Sequence, residues 1–214
     1  MDLLTIIKKK TGTFSRVFLN QLSLLVLAIF SMLLSKSQQH QLVYSIKKDG
    51  KNIGFLNVKQ IKAGNRIIYK MKSEISTRFI FSFTATGVEE AMYDKGILVY
   101  SLVYQKLNGN EKLNAQTMLK GKSYTITRNG TEKHVTDDTI RYNMVCLYNN
   151  EPTKNSRLFS DKHQKFLSIE KLGDHHYRIN FPSGGSNEYF YTNGICTRIV
   201  VDHSFYKATI ELKL

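Results

Sequence analysis

From Gln41 onward the chain alternates polar and apolar residues and is broken at short intervals by turn residues. In Tyr177-Arg178-Ile179-Asn180-Phe181 the odd positions are apolar and the even ones polar. Tyr206, Ala208, Ile210, Leu212 and Leu214 share one face of another stretch, with Lys207, Thr209, Glu211 and Lys213 on the other. Ile67, Tyr69 and Met71 oppose Ile68, Lys70 and Lys72, with one apolar exception. A period of two with one buried and one wet face predicts antiparallel strands. The segment from Ile97 to Tyr104 is apolar on both faces and predicts a central or doubly covered strand.

The breaks fall at Asp49-Gly50, Gly64-Asn65, Lys95-Gly96, Asn108-Gly109, Gly121, Asn129-Gly130, Gly173-Asp174, Gly184-Gly185 and Asn193-Gly194. Spacings of about 9 to 14 residues between such signals predict successive hairpins. Asn-Gly is the strongest of them, because a type I′ turn needs positive φ at both central positions. One segment departs from the rhythm. Thr136-Asp137-Asp138 offers a helix N-cap with acids in the first turn, and Ile140, Met144, Leu147 and Tyr148 recur at helical spacing. This predicts one short helix near 137–148, stopped by Glu151-Pro152. No repeat, low-complexity tract or long linker interrupts the rest, so residues 38–214 read as a single all-β domain.

Leu22 to Leu34 form the only long apolar run, preceded by Lys8, Lys9, Lys10 and Arg16. The run is short for a membrane-spanning helix, which needs about 20 mostly apolar residues. A basic stretch, a short apolar core and then Ser35-Lys36-Ser37 have the layout of a secretory signal peptide over residues 1–37, cut after Ser37. An uncleaved N-terminal anchor is the alternative. Either way the membrane is met only through this segment, and no cysteine follows the run to carry a lipid. The expected location is the periplasm or cell envelope.

Five of the 31 Lys/Arg and one of the 17 Asp/Glu lie in residues 1–37, leaving about +10 on residues 38–214. In an exported protein that charge suits anionic lipid, polysaccharide or cell-wall neighbours and makes nucleic acid an unsuitable partner. The bases are scattered among strand positions, as on a solvated sheet face. At 177 residues the exported part buries roughly 70% of its unfolded surface, enough to fold without a metal or disulfide. Cys146 and Cys196 are the only cysteines. An oxidising compartment permits a bridge between them, worth roughly 4 kcal/mol in the chain-entropy model, and two separately buried thiols are the alternative.

Candidate chemistry is sparse. His175 and His176 are adjacent in a strand-like stretch and point to opposite faces, so they do not share a metal. No HxH, HExxH or paired CxxC spacing appears, and no G-x-S-x-G marks a serine nucleophile. Ser183-Gly184-Gly185-Ser186 lacks the following helix and the lysine of a phosphate loop and reads as a hairpin turn. These absences give no catalytic, cofactor-binding or metal residues and favour a non-enzyme. An envelope enzyme with an unusual site would need His163, His175, His203 or Cys196 to converge with an acid. Phe79, Phe81 and Phe83, and Tyr189 and Tyr191, form aromatic stripes that either fill a core or line a lipophilic cavity.

The stretch from Cys146 to Val201 adds a resemblance. It combines a short helix ending in Leu147-Tyr148, Glu151-Pro152, Phe159-Ser160, a turn from Phe181 to Gly184, and Asn187, Tyr189, Tyr191 and Asn193-Gly194 in series. With Tyr44-Ser45-Ile46 and Gly54 at the start, the chain resembles a family of uncharacterised exported proteins of Bacteroidetes-type bacteria, a domain of unknown function. After Phe159-Ser160 this chain has Asp161-Lys162-His163-Gln164 where the family pattern has an acid and then a glycine. The resemblance implies an envelope setting and a single strongly curved antiparallel sheet, a half-barrel or open barrel similar to periplasmic lipoprotein carriers. It assigns no site residues. The expected function is therefore binding of a lipophilic or envelope-associated ligand in the curved sheet, with a scaffold that pairs with another envelope protein as the alternative.

Overall fold

Where the sequence places Asp-Gly, Lys-Gly and Asn-Gly, the backbone turns with both residues at positive φ. Asp49 and Gly50 stand at 50° and 74°, Lys95 and Gly96 at 50° and 75°, and Asn193 and Gly194 at 51° and 78°. Those turns join strands in a computed structural model that describes residues 37–78, 82–128, 130–203 and 206–213. The first meander comprises β1 (Gln38–Lys48), β2 (Lys51–Ala63), β3 (Arg66–Arg78), β4 (Ser82–Asp94), β5 (Ile97–Leu107), β6 (Asn110–Lys120), β7 (Ser123–Arg128) and β8 (Thr131–Thr136). A loop then carries the small hairpin β9 (Arg157–Ser160) and β10 (Lys165–Ser168). The second meander is β11 (Glu170–Gly173), β12 (His176–Asn180), β13 (Ser186–Thr192), β14 (Ile195–His203) and β15 (Tyr206–Leu212).

All strands but β9 and β10 form one antiparallel sheet in the order β11-β12-β13-β14-β15-β1-β2-β3-β4-β5-β6-β7-β8. β1 stands between the two meanders, pairing Tyr44 with Leu212 of β15 and Tyr44 with Leu56 of β2. The sheet is not a closed barrel; β8 and β11 remain its edges. It is nevertheless strongly curved. Inward residues from β2, β4, β7, β12 and β14 join one core cluster, which a flat sheet of this width could not assemble. Inward glycines help the curl. A Cβ on Gly54 of β2 would lie 2.1 Å from the Glu74 carbonyl oxygen of β3, and one on Gly87 of β4 2.7 Å from Ser73 Oγ. At Gly54 the backbones therefore approach as only glycine permits, while at Gly87 the near neighbour is a side-chain hydroxyl.

The expected helix near 137–148 is corrected to a single 3-10 turn, Met144–Tyr148. Thr136 caps only a local turn, its Oγ1 accepting the Asp138 N–H at 3.0 Å, while Asp137 is taken by Ser123 Oγ and His134. The following residues run extended because both neighbours bind them: Leu98 N–H donates to the Ile140 carbonyl and Phe159 N–H to the Tyr142 carbonyl. This internal loop packs against the inner face of the sheet. Ile140, Val145, Leu147, Leu158 and Phe159 are fully buried in the same cluster as Tyr44, Val58 and Ile199.

β3 ends at Arg78, which pairs with Ser82, and Phe83 of β4 is 38% exposed; Phe79 and Phe81 lie outside the described residues. Residues 1–36 likewise lie outside them, and β1 begins one residue after Ser37. No helix among the described residues is long and apolar enough to cross a membrane.

Candidate functional site

Alternation along each strand puts tyrosines at inward positions, and their hydroxyls then need partners inside the protein. Tyr44 donates to the Cys196 carbonyl at 2.8 Å, Tyr124 to the Leu98 carbonyl at 2.8 Å, and Tyr142 to the Asn150 carbonyl. Tyr69 accepts from Gln60 Nε2 and Asn150 Nδ2, both at 2.8 Å. The Asn150 bond ties the internal loop to Tyr69 of β3, so the loop is fixed by a polar contact as well as by apolar burial. The Tyr191 hydroxyl is buried without a partner.

The densest polar group lies where the loop meets β4, β5 and β6. Ser101 of β5 and Thr117 of β6 are directly paired across the strands and face inward. Both donate to Asp161 Oδ1, at 2.6 and 2.5 Å, and Asn143 Nδ2 donates to Oδ2 at 3.2 Å. Asn143 in turn accepts the Tyr93 hydroxyl at 2.9 Å and the Cys146 thiol at 3.3 Å. Asp161 is buried, and that burial raises its pKa against the lowering effect of the three donors. It is a carboxylate held by a complete set of donors, which is the arrangement of an anchor.

Glu89 of β4 is its counterpart. Ala91 and Tyr93 face inward, so Glu89 shares their face, between Met71 of β3 and Val103 of β5. Glu90 points outward and meets Lys70 at 3.5 Å. Burial first, and the Asp161 charge second, push the Glu89 carboxyl up to about 7, with Lys162 acting in the opposite direction. Among the described residues no hydrogen bond reaches this carboxyl. Glu89 as a whole residue is half-buried on the inner face. Towards the far ends of β3 and β4, Ser73, Ile75, Ala85 and Gly87 share its face and are also partly exposed. These small and apolar residues share one stretch of the inner face, a candidate trough, with an acid that has no hydrogen bond among the described residues beside them. Chemically this can accept a hydrogen bond or a positive charge beside an apolar surface, and it changes charge near neutrality.

The residues singled out from sequence are separated by the fold. His175 sits in the β11–β12 turn at φ 57°, its Nδ1 3.0 Å from the buried Glu151 carboxylate, which also accepts the Tyr177 hydroxyl. His176 faces outward, 2.8 Å from Glu188 and stacked on Phe190. His163 and His203 both stack on Phe181, with centroid distances of 5.6 and 6.0 Å, amid Lys162 and Lys165. They do not converge with Cys196 and an acid. Cys146 and Cys196 are free, buried thiols rather than a disulfide; burial raises them to about 11 and about 12. Cys196 Sγ donates to the Arg198 carbonyl at 3.5 Å, so each sulfur has a separate environment. Tyr189 and Tyr191 are core residues. Glu89 and Asp161 were not singled out from sequence. The available signal was parity: Ala91 and Tyr93 on one face carry Glu89 with them and leave Glu90 outside.

Residues 44–213 match the family described as Domain of unknown function (DUF6134). Among solved structures the chain is similar to a beta-barrel-like protein of domain of unknown function DUF1849 from Brucella abortus. The TM-score is 0.51 at 10% identity, over 82% of this chain and 95% of that one. At that identity the likeness speaks to the fold alone. No curated protein matches the chain. The family match runs from within β1 through β15 and takes in the internal loop and both inward acids: the chain belongs to DUF6134, a domain of unknown function.

Proposed function

We propose that this protein is a non-enzymatic component of the bacterial envelope, exported by its N-terminal segment, that holds a lipophilic ligand with a hydrogen-bonding or cationic head in the trough at Glu89. The observation that carries the reading is Glu89 itself, an inward carboxyl on a half-buried residue, raised by burial and without a hydrogen bond among the described residues. A buried or half-buried polar group without a partner costs free energy, and a ligand donor would remove that cost. The apolar and small residues beside it suit an acyl or other lipophilic body. The internal loop occupies the rest of the concavity, so the ligand is expected to be short or to project from the mouth of the trough.

The test is native mass spectrometry of gently purified protein, followed by organic extraction. Co-purification of a lipophilic molecule, reduced at least about tenfold in Glu89→Gln, is the expected result, since a hydrogen bond to a charged group is worth about 1.5–3 kcal/mol. Absence of any bound molecule in the wild-type protein purified from its own envelope would sink the reading. A scaffold is the second reading, favoured by the two unpaired sheet edges at β8 and β11, which present backbone groups for strand addition. Crosslinking in cells separates the two, because a scaffold yields a stable protein partner and a carrier yields ligand.

A further inference from the structure

A second site lies on the other side of the internal loop, where its two limbs leave the sheet. The outgoing limb supplies Thr139 and Arg141 and the returning limb Lys154, Ser156 and Arg157, around a groove of about 400 Å3. Tyr142 and Phe166 contribute aromatic surface to it. The Tyr142 ring is fixed by its bond to the Asn150 carbonyl, and Phe166 is packed edge-on against Phe159. Arg157 is already oriented: its guanidinium lies 4.2 Å from the Phe166 ring centroid and 3.1 Å from Asp138. Arg141 and Lys154 are exposed, and among the described residues no acid pairs with either. Three cations against one carboxylate leave the groove with a net charge of about +2.

Unpaired like charges held side by side repel one another, so a groove of this composition is more stable when an anion enters it. Arg forks bind oxyanions bidentately, Lys adds a point charge, and the Thr139 and Ser156 hydroxyls supply further donors. The groove is several times the size of an isolated phosphate, and its aromatic surface suits the carbon body of a larger ligand. We infer that this groove binds a phosphoryl oxyanion carried on a larger molecule, bridging the two limbs of the internal loop through Arg141, Lys154 and Arg157. A lipid headgroup and a soluble phosphate ester present the same chemistry. The site is separate from Glu89, and neither inference depends on the other.

The experiment uses the full chain and three probes: inorganic phosphate, glycerol 3-phosphate, and vesicles of phosphatidylglycerol against vesicles of phosphatidylcholine. Binding is followed by calorimetry for the soluble probes and by co-sedimentation for the vesicles. The double variant Arg141→Ala/Lys154→Ala is compared with Lys59→Ala/Lys72→Ala, which removes two cations from the opposite, outward face of β2 and β3. Saturable binding weakened at least tenfold by the first pair and less than twofold by the second supports the site. Loss confined to the soluble probes identifies a soluble phosphate ester, and loss confined to phosphatidylglycerol vesicles identifies a lipid headgroup. No saturable binding of any probe, or equal loss in both double variants, overturns the inference.

Discussion

Asp161 and Glu89 show how one residue type takes opposite roles on the same inner face. Asp161 receives three side-chain donors and stays buried, joining the loop to β5 and β6. Glu89 receives none among the described residues, and its burial leaves the carboxyl uncompensated. Because its carboxyl is raised from 4.5 to about 7, the folded protein retains a proton that the unfolded chain has released. Stability from this group is therefore complete below about pH 4.5 and falls as pH rises through 7. The expected loss between pH 5 and pH 8 is about 1–3 kcal/mol, read from urea midpoints. Glu89→Gln should flatten most of that slope and leave the variant the more stable protein at pH 8. A wild-type midpoint that rises with pH over this interval, with Glu89→Gln following it, would show the carboxyl to be ordinary. Binding of a cationic head at Glu89 should strengthen as pH rises through 7, opposite in sign to this stability slope.

At the scale of elements, period-two alternation and glycine-bearing turns were sufficient to read the hairpins, because each depends on neighbours in sequence. The helix near 137–148 was misread for the opposite reason. Ile140 and Tyr142 are held extended by Leu98 and Phe159, residues more than ten positions away whose approach no local spacing records. Gly54 carried no signal of its own either; its role appears only when β3 passes over it. With a Cβ placed 2.1 Å from a carbonyl oxygen, Gly54→Ala must push β2 and β3 apart. We expect Gly54→Ala to lose at least about 2 kcal/mol in urea unfolding, against a few tenths for Asn57→Ala on the outward face of the same strand. Equal losses at the two positions would mean that the close approach carries no strain.

For the molecule as a whole, the all-β class and the open curved sheet could be read from sequence and family resemblance together. The site could not, because Glu89 acquires its character from Asp161, 72 positions later, and from the way the loop folds back over the sheet. The expected cut after Ser37 falls immediately before Gln38, the first residue of β1, so processing there would leave every described strand intact. Fractionation of cells followed by N-terminal sequencing should find a mature chain beginning at Gln38 in the envelope fraction. Recovery of the chain from the cytosol with Met1 in place would contradict export.

The position of β1 also dictates an order of assembly. β1 has one partner adjacent in sequence, β2, but its other partner is β15, far along the chain. Neither meander can shelter the common interior alone, so the core is sealed only once β15 has been made. Contacts this distant in sequence make folding slow. A chain that stays loose until β15 is made would suit the proposed export, because it could be threaded through a translocon before it sets.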